Sequence, residues 1–290
     1  YDLGLSSMPS QTVCYPAKLA HGHVTALLRQ GVREIFFPCL PREGQDTSVR
    51  GYNCPVVSGY PEVIRLNTDE VRELGAHLYT PFVSLEHLDT LVDRLHEVLG
   101  LPKLELWEAA HAARAEQEAY RAVSELYQNG HRRIAVLTAA PDDSSISQLR
   151  YLGYQRALRD FGLTEHPEDL ICAEDFTIAN AYAAMQKRLR SPADFTAVFA
   201  IADDMAIGAM RALRESGRSI PEDCSVIAID GISVSEYIHP MLTTLCQPMT
   251  AMGEASVEIL LDIIEGRGVH RHVTLPTALR EGASVRQLKH

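Results

Sequence analysis

Three cysteines near the start of the chain are the residues best suited to hold a metal. Cys14, Cys39 and Cys54 each stand in a short turn-like segment that also contains proline. Thiolates bind soft metals and iron–sulfur clusters. Their spacings of 25 and 15 residues do not form a compact ligand motif. The sequence therefore leaves two interpretations open: a shared metal cluster, or three separate cysteines, buried or in loops, that never meet.

Two aspartates follow predicted strands in the second half of the chain. Asp203 comes just after the apolar run 197–201, and Asp230 ends the run Ser225–Asp230. Ligand crevices in parallel α/β sheets form outside the carboxyl ends of the strands. This placement favours contact with a small ligand, while for Asp203 the alternative is a simple helix N-cap.

These residues are positioned by alternating β-rich and amphipathic segments, which predict βαβ units and parallel sheets. We expect an α/β fold with two Rossmann-like lobes, of the flavodoxin-like or periplasmic-binding-protein-like kind. The predicted strands are 34–37, 134–138, Leu170–Ala173, 197–201, Ser225–Asp230 and 272–275. The predicted helices are 17–29, Leu88–Leu99, 104–128, 146–161, Ile178–Leu189, 203–216 and 249–265, with a loop over 55–64.

Composition narrows the function classes. The chain has 290 residues, of which 46% are hydrophobic, and a formal net charge of −11, which disfavours a nucleic-acid footprint. Neither a signal peptide nor a membrane span is evident, so we expect a cytoplasmic protein without membrane contact. Reduced cysteines fit this setting, and Cys172, Cys224 and Cys246 are expected to be small apolar fillers. The sequence contains no nucleophile elbow, P-loop or HExxH motif, which argues against a hydrolase and favours a non-enzymatic role.

From about residue 122 onward the chain resembles the effector-binding core of the LacI family of transcription regulators. The segments that carry the resemblance are 129–135, 150–154, 199–209, 217–221, 225–230 and 240–247. The resemblance implies a small-molecule effector, sugar or nucleobase-like, and a homodimer. It also implies that DNA is contacted only through a headpiece, which we expect this chain to lack. The effector contacts that it implies are Arg150, Phe176, Asp203, Asp230 and Gln247.

Each implied contact has a plainer alternative. Arg150 on a helix is otherwise a solvated charge, and Phe176 is otherwise a core residue. Two positions depart from the family pattern: Ala202 replaces the usual asparagine before the aspartate, and Gly231 replaces a frequent acidic residue. The identity of the effector is therefore open.

Residues 1 to about 120 resemble a different group, the 2-hydroxyacyl-CoA dehydratases and CoA-substrate-specific activase-related proteins. The segments that carry this resemblance are 9–18, 21–23, 36–39, 52–55, 60–63 and 115–120. It implies that Cys14, Cys39 and Cys54 hold a 4Fe-4S cluster.

We therefore expect a chimera with an activase- or dehydratase-like lobe at 1–121 and a LacI-type lobe at 122–290, joined within the long helix. The favoured function is the sensing module of a LacI-type regulator. The alternatives are an iron–sulfur fragment and an engineered scaffold without retained function.

Overall fold

The chain forms two compact units. The computed structural model describes residues 3, 8, 14–41, 53–85, 87–140, 146–267 and 273–288. One unit contains residues 1–110 and 272–274, and the other contains residues 111–271 and 275–290. The expected domain boundary between residues 121 and 122 lies further along the same helix and stays a prediction.

The first unit is built on a short parallel sheet. Its elements are α1 (Tyr15–Arg29), β1 (Glu34–Phe36), α2 (Pro55–Ser58), α3 (Tyr60–Asn67), α4 (Asp69–Glu73), β2 (His77–Tyr79), α5 (Leu88–Leu99) and the start of α6 (Lys103–Gln128). Strands β1 and β2 pair in parallel with Ile35 opposite Leu78. Both side chains are buried, and they pack with Val24, Leu28 and Ile64 as the core of the sheet.

The predicted loop over 55–64 is wrong, because this segment forms α2 and most of α3. Pro55 and Pro61 stand in the first turns of these helices, where proline lacks only an amide that would have no helical partner. Strand β2 was not expected from the sequence. Only Leu78 of its three residues is buried, which is too little pattern to predict a strand.

The second unit is a six-stranded sheet with helices packed against it. After α6 come β3 (Ile134–Ala139), α7 (Ile146–Asp160), β4 (Leu170–Ala173), α8 (Ile178–Leu189), β5 (Ala197–Ala200), α9 (Asp203–Glu215), β6 (Ser225–Asp230), β7 (Thr243–Cys246), α10 (Met249–Ile264) and β8 (Ala278–Arg280). The strand order is β4-β3-β5-β6-β7-β8. All pairs are parallel except β7 with β8, which is antiparallel.

Burial explains why this half is regular. All six residues of β3 and all four of β5 are buried, as expected for a parallel sheet covered on both faces. The α/β class and parallel sheets predicted from the sequence are confirmed. The last strand was placed wrongly: residues 273–275 are not in a strand, the strand is Ala278–Arg280, and residue 272 lies outside the described part of the chain.

Helix α10 contrasts with the other long helices, because none of its residues is buried. Seven of its large apolar side chains are exposed, by between 42% at Met252 and 70% at Ile264. Outside the acidic stripe of Glu254, Glu258 and Asp262 the helix is largely apolar, and a large apolar surface is normally covered by other groups. In the described part of the chain, no helix is both long and apolar enough to cross a membrane.

Candidate functional site

The carboxylate of Asp203 is fully buried at the carboxyl edge of the larger sheet, at the start of α9. One of its oxygens accepts hydrogen bonds from the amides of Gly231 at 3.0 Å and Ile232 at 2.9 Å, and from Ser235 Oγ at 2.8 Å. The other accepts from Thr244 Oγ1 at 2.6 Å. Burial raises the pKa of Asp203, and these hydrogen bonds oppose the rise. The Asp203 side chain therefore holds the loop that follows β6 in place.

That loop holds Asp230 in an unusual backbone conformation. Asp230 has a φ of 130°, a region that costs a non-glycine residue free energy and is sustained only by its surroundings. Gly231 follows with a φ of 75°, and a Cβ there would lie 2.5 Å from the sulfur of Cys246. The chain therefore turns tightly against β7, and the Asp203 hydrogen bonds hold the turn in place.

The turn brings Asp230 to Arg150 and Gln247. An Arg150 Nη atom donates to Asp230 Oδ1 at 3.2 Å, and Gln247 Nε2 donates to the same oxygen at 3.2 Å. The other Nη of Arg150 donates to the carbonyl of Ile201. Arg150 is only 4% exposed, so the plainer alternative of a solvated surface charge is wrong. Burial raises the pKa of Asp230, and Arg150 opposes the rise.

Arg150 also has an unused donor. Among the described residues, its Nε–H has no hydrogen-bond partner. A buried donor of a charged group is costly when it is unpaired. The guanidinium thus keeps a capacity to bind one more acceptor at the sheet edge.

Glu118 of α6 adds a third carboxylate, which sequence reasoning did not select. It ion-pairs with Arg114 at 3.7 Å and is mostly buried. Burial raises its pKa, while Arg150 and Arg114 oppose the rise. The i, i+4 spacing of Arg114 and Glu118 resembles an ordinary surface pair, which hides the inward orientation of Glu118 from sequence reasoning.

Phe176 lies in the loop between β4 and α8, beyond the carboxyl end of β4, and is 37% exposed. The loop is shaped by Asp175, whose carboxylate accepts from the amide of Thr177 at 2.8 Å. Thr177 in turn caps α8 by accepting from the Asn180 amide. The five predicted contacts thus all belong to the second unit, where Arg150, Asp230 and Gln247 meet directly and Asp203 lies behind them.

The structure does not bring the three predicted metal ligands together. Cys14 and Cys54 are exposed at the N-caps of α1 and α2, and Cys39 is buried. Burial raises the pKa of the Cys39 thiol, which disfavours the thiolate that a cluster needs. No group of three or more His, Cys, Asp or Glu residues in the described ranges could hold a metal ion. The donor set therefore does not fit a 4Fe-4S cluster here, and the cluster stays a prediction without geometric support.

The two halves of the chain match two different protein families. Residues 123–285 match the family described as "Periplasmic binding protein-like domain". Residues 1–149 match the family described as "CoA enzyme activase uncharacterised domain". Each match covers more than half of the chain. The chain belongs to both families.

The periplasmic-binding-protein-like half is similar to bacterial transcription regulators. It is 38% identical over 151 residues to the Escherichia coli repressor CytR, which covers 52% of this chain and 44% of that protein. It is 40% identical over 146 residues to the Thermobifida fusca regulator CelR, covering 50% and 42%. The chain thus spans less than half the length of these curated relatives. The predicted resemblance to the LacI type is confirmed.

Solved structures support the same assignment. The Escherichia coli repressor AscG aligns with a TM-score of 0.55 and 27% identity, covering 78% of this chain and 84% of that one. A LacI-family regulator of Sanguibacter keddieii aligns with a TM-score of 0.55 and 30% identity, covering 58% and 65%. The second half is therefore similar in sequence and fold to the effector-binding domains of LacI-family transcription regulators.

Proposed function

We propose that the second unit senses a small uncharged polar molecule, a sugar or a nucleoside-like compound, for a LacI-type transcription regulator. The single observation that carries the proposal is the meeting of Arg150, Asp230 and Gln247 at the carboxyl edge of a parallel sheet. Ligands bind at this edge in open α/β folds.

The chemistry of the site suits such a ligand. A guanidinium, a carboxylate and a primary amide together offer fixed donors and acceptors for neighbouring hydroxyl or ring-nitrogen groups. The unpaired Nε–H of Arg150 supplies one donor beyond those already used. Phe176 offers an apolar face to the ligand body, and Asp203 acts as a positioning residue that keeps Asp230 in place.

The proposed regulator role also implies binding partners and a location in the cell. The relatives CytR and PurR are named as HTH-type transcriptional repressors. By the same proposal, this chain works in the cytoplasm, as part of a homodimer whose complete protein contacts DNA.

The proposal is tested by scanning calorimetry of the chain with pentoses, hexoses, nucleosides and purine bases. A ligand that binds only the folded state must raise its melting temperature. We expect one class to stabilise the second unit in the wild type and in the matched control Asp204→Asn, which changes an exposed neighbour of Asp203. Asp230→Asn should lose most of that stabilisation. No response to any class, or an equal response in Asp230→Asn, would contradict the proposal.

The iron–sulfur alternative rests on the family match of residues 1–149 alone. The dispersed thiols give it no ligand set, so no chemistry is derived through a cluster. The scaffold alternative predicts a folded chain that responds to no ligand in the calorimetric screen.

A further inference from the structure

The first unit contains a groove that is separate from the proposed sensing function. It lies among α3, α4, β2 and α5 and has a volume of about 670 Å³. Grooves of this size hold ordinary small ligands. Every residue that lines it belongs to the first unit, so the groove can be considered within that unit alone.

The groove is lined by three guanidinium groups from three different helices. Arg65, Arg72 and Arg94 come from α3, α4 and α5, and Glu62 is the one carboxylate among the lining residues. Glu62 is already engaged, because Arg65 bonds both of its oxygens and Thr80 donates to it. Among the lining residues, Arg72 and Arg94 are therefore the two guanidinium groups not paired with Glu62.

Two of the three guanidinium groups form only weak, exposed ion pairs. Arg72 pairs with Asp69 at 3.1 Å, with both side chains more than 75% exposed, and Arg94 pairs with Glu97 at 2.9 Å, with 46% and 63% exposed. Exposed pairs of this kind contribute roughly 0 to 1 kcal/mol. A bound anion can therefore recruit Arg72 and Arg94 at little cost, in the charge-assisted geometry that arginine forms with phosphate.

A buried hydroxyl points to a polar ligand at the same place. Thr68 lines the groove and is 2% exposed, and its Oγ1 has no hydrogen-bond partner among the described residues. Thr68 precedes α4, where threonine usually caps the helix, yet its side chain makes no capping bond. Buried polar atoms are normally satisfied, so the hydroxyl keeps the capacity to bond one ligand oxygen.

One wall of the groove carries aromatic rings. His77 and Tyr79 project from the same side of β2, and their rings stack with centroids 4.9 Å apart and planes 8° from parallel. Leu66, Val71 and Val98 add apolar surface. The groove thus combines an anion-binding part with a wall suited to a planar or apolar body.

We propose that this groove binds a small phosphorylated compound with an aromatic or apolar body. Arg72, Arg94 and the Thr68 hydroxyl bind the phosphate, and the wall of His77 and Tyr79 contacts the body. No bond is made or broken in this step, and the site acts independently of the sensing site in the second unit.

The test is isothermal titration calorimetry of the full chain with phenyl phosphate and with inorganic phosphate as probes. We expect phenyl phosphate to bind with a dissociation constant of about 1 mM or tighter, and more tightly than inorganic phosphate. Arg72→Gln and Arg94→Gln should each weaken it about tenfold, since each removes a charge-assisted hydrogen bond.

Thr68→Val separates binding from folding. The variant keeps the shape of the side chain and removes a hydroxyl that has no partner, so it should weaken phenyl phosphate several-fold without lowering the melting temperature. A fall in melting temperature that accompanies unchanged binding would show a structural role and overturn the assignment of Thr68.

Two variants serve as controls. Arg211→Gln removes an exposed, ion-paired arginine of the second unit, and Asp230→Asn disables the proposed sensing site. Both should bind phenyl phosphate as the wild type does, which keeps this proposal distinguishable from the sensing function. Absence of binding to the wild-type chain, equal weakening by Arg211→Gln, or equal affinity for the two probes would overturn the proposal.

Discussion

The Asp203 carboxylate accepts a 2.6 Å hydrogen bond from the Thr244 hydroxyl across an intervening strand. Asp203 follows β5 and Thr244 belongs to β7, while β6 lies between them in the sheet. The same carboxylate holds the turn that leaves β6. One buried side chain therefore links the segments that follow β5 and β6 to strand β7, and the geometry of Asp230 depends on it.

Asp203→Asn should strongly destabilise the second unit. An amide in place of the carboxylate turns one acceptor into a donor that faces other donors. We expect a loss of about 3 kcal/mol in the free energy of unfolding, measured by urea denaturation. Asp204→Asn, on the exposed side of the same helix, should change it by less than about 0.5 kcal/mol. Equal effects of the two variants would refute the supporting role.

Gly231→Ala should be among the most damaging small substitutions in the chain. The new Cβ would lie 2.6 Å from the backbone of Cys246, at a φ of 75°. We expect a loss of about 2 kcal/mol or more, with weaker effector binding because Asp230 must move. Gly253→Ala in α10 meets no heavy atom within 4 Å and should stabilise by roughly 0.5 to 1 kcal/mol. Thermal melts of both variants test the contrast.

Glu118 should give the stability of the second unit a recognisable pH dependence. Burial raises its pKa, so the folded chain holds the Glu118 proton more tightly than the unfolded chain does. Its stabilising contribution is complete below the unfolded pKa of about 4.3 and is lost as the pH rises through the folded pKa. Glu118→Gln mimics the neutral form at every pH. The free energy of unfolding of Glu118→Gln minus that of the wild type should therefore be larger at pH 7 than at pH 4.

Urea midpoints at several pH values measure this difference. Glu108→Gln, which removes an exposed carboxylate of the same helix, serves as the substitution control. If the urea midpoint of Glu118→Gln changes with pH in parallel with that of the wild type, Glu118 has the same pKa in the folded and unfolded states.

The reactivity of each thiol should show whether the cysteines are dispersed or share a cluster. Cys14 and Cys54 are exposed and should react quickly with Ellman's reagent, whereas Cys39 and Cys224 are buried and should react only after unfolding. Cys172 is exposed, so the expectation of a buried filler is wrong, and because its pKa is raised by partial burial it should react more slowly than Cys14 and Cys54. Burial raises the pKa of Cys224 to about 12, which slows it further. Chain purified without oxygen should contain far less iron than a cluster requires. Protection of Cys14, Cys39 and Cys54 together, with stoichiometric iron, would instead establish the cluster.

Much of the fold could be predicted where burial is continuous. Strand β5 is apolar throughout and β3 has Thr138 as its one polar residue, so their runs stand out in the sequence. The bounds expected for Leu170–Ala173 and Ser225–Asp230 agree with those observed. The errors lie where the signal is ambiguous. Prolines 55 and 61 suggested a loop but begin helices, and the three-residue β2 has too short a pattern to detect.

The site could be predicted only in part. Asp203 and Asp230 could be selected because each stands at the end of a predicted strand. However, an aspartate that contacts a ligand and an aspartate that holds a loop in place have the same sequence signature. The role of Glu118 depends on which side of a long helix packs inward, and its neighbours in sequence do not reveal this. The convergence of Arg150 with Gln247, 97 positions later, arises only from the order of the strands.

The uncovered surface of α10 has a practical consequence for laboratory work. Environment-sensitive dyes fluoresce on contact with exposed apolar groups, so they should already be bright with the native chain. A dye-based melting curve would then begin from a high baseline and understate unfolding. The same helix should favour adsorption to plastic and to air–water interfaces. Heat capacity or circular dichroism will therefore follow the unfolding of this chain more faithfully than a fluorescent dye.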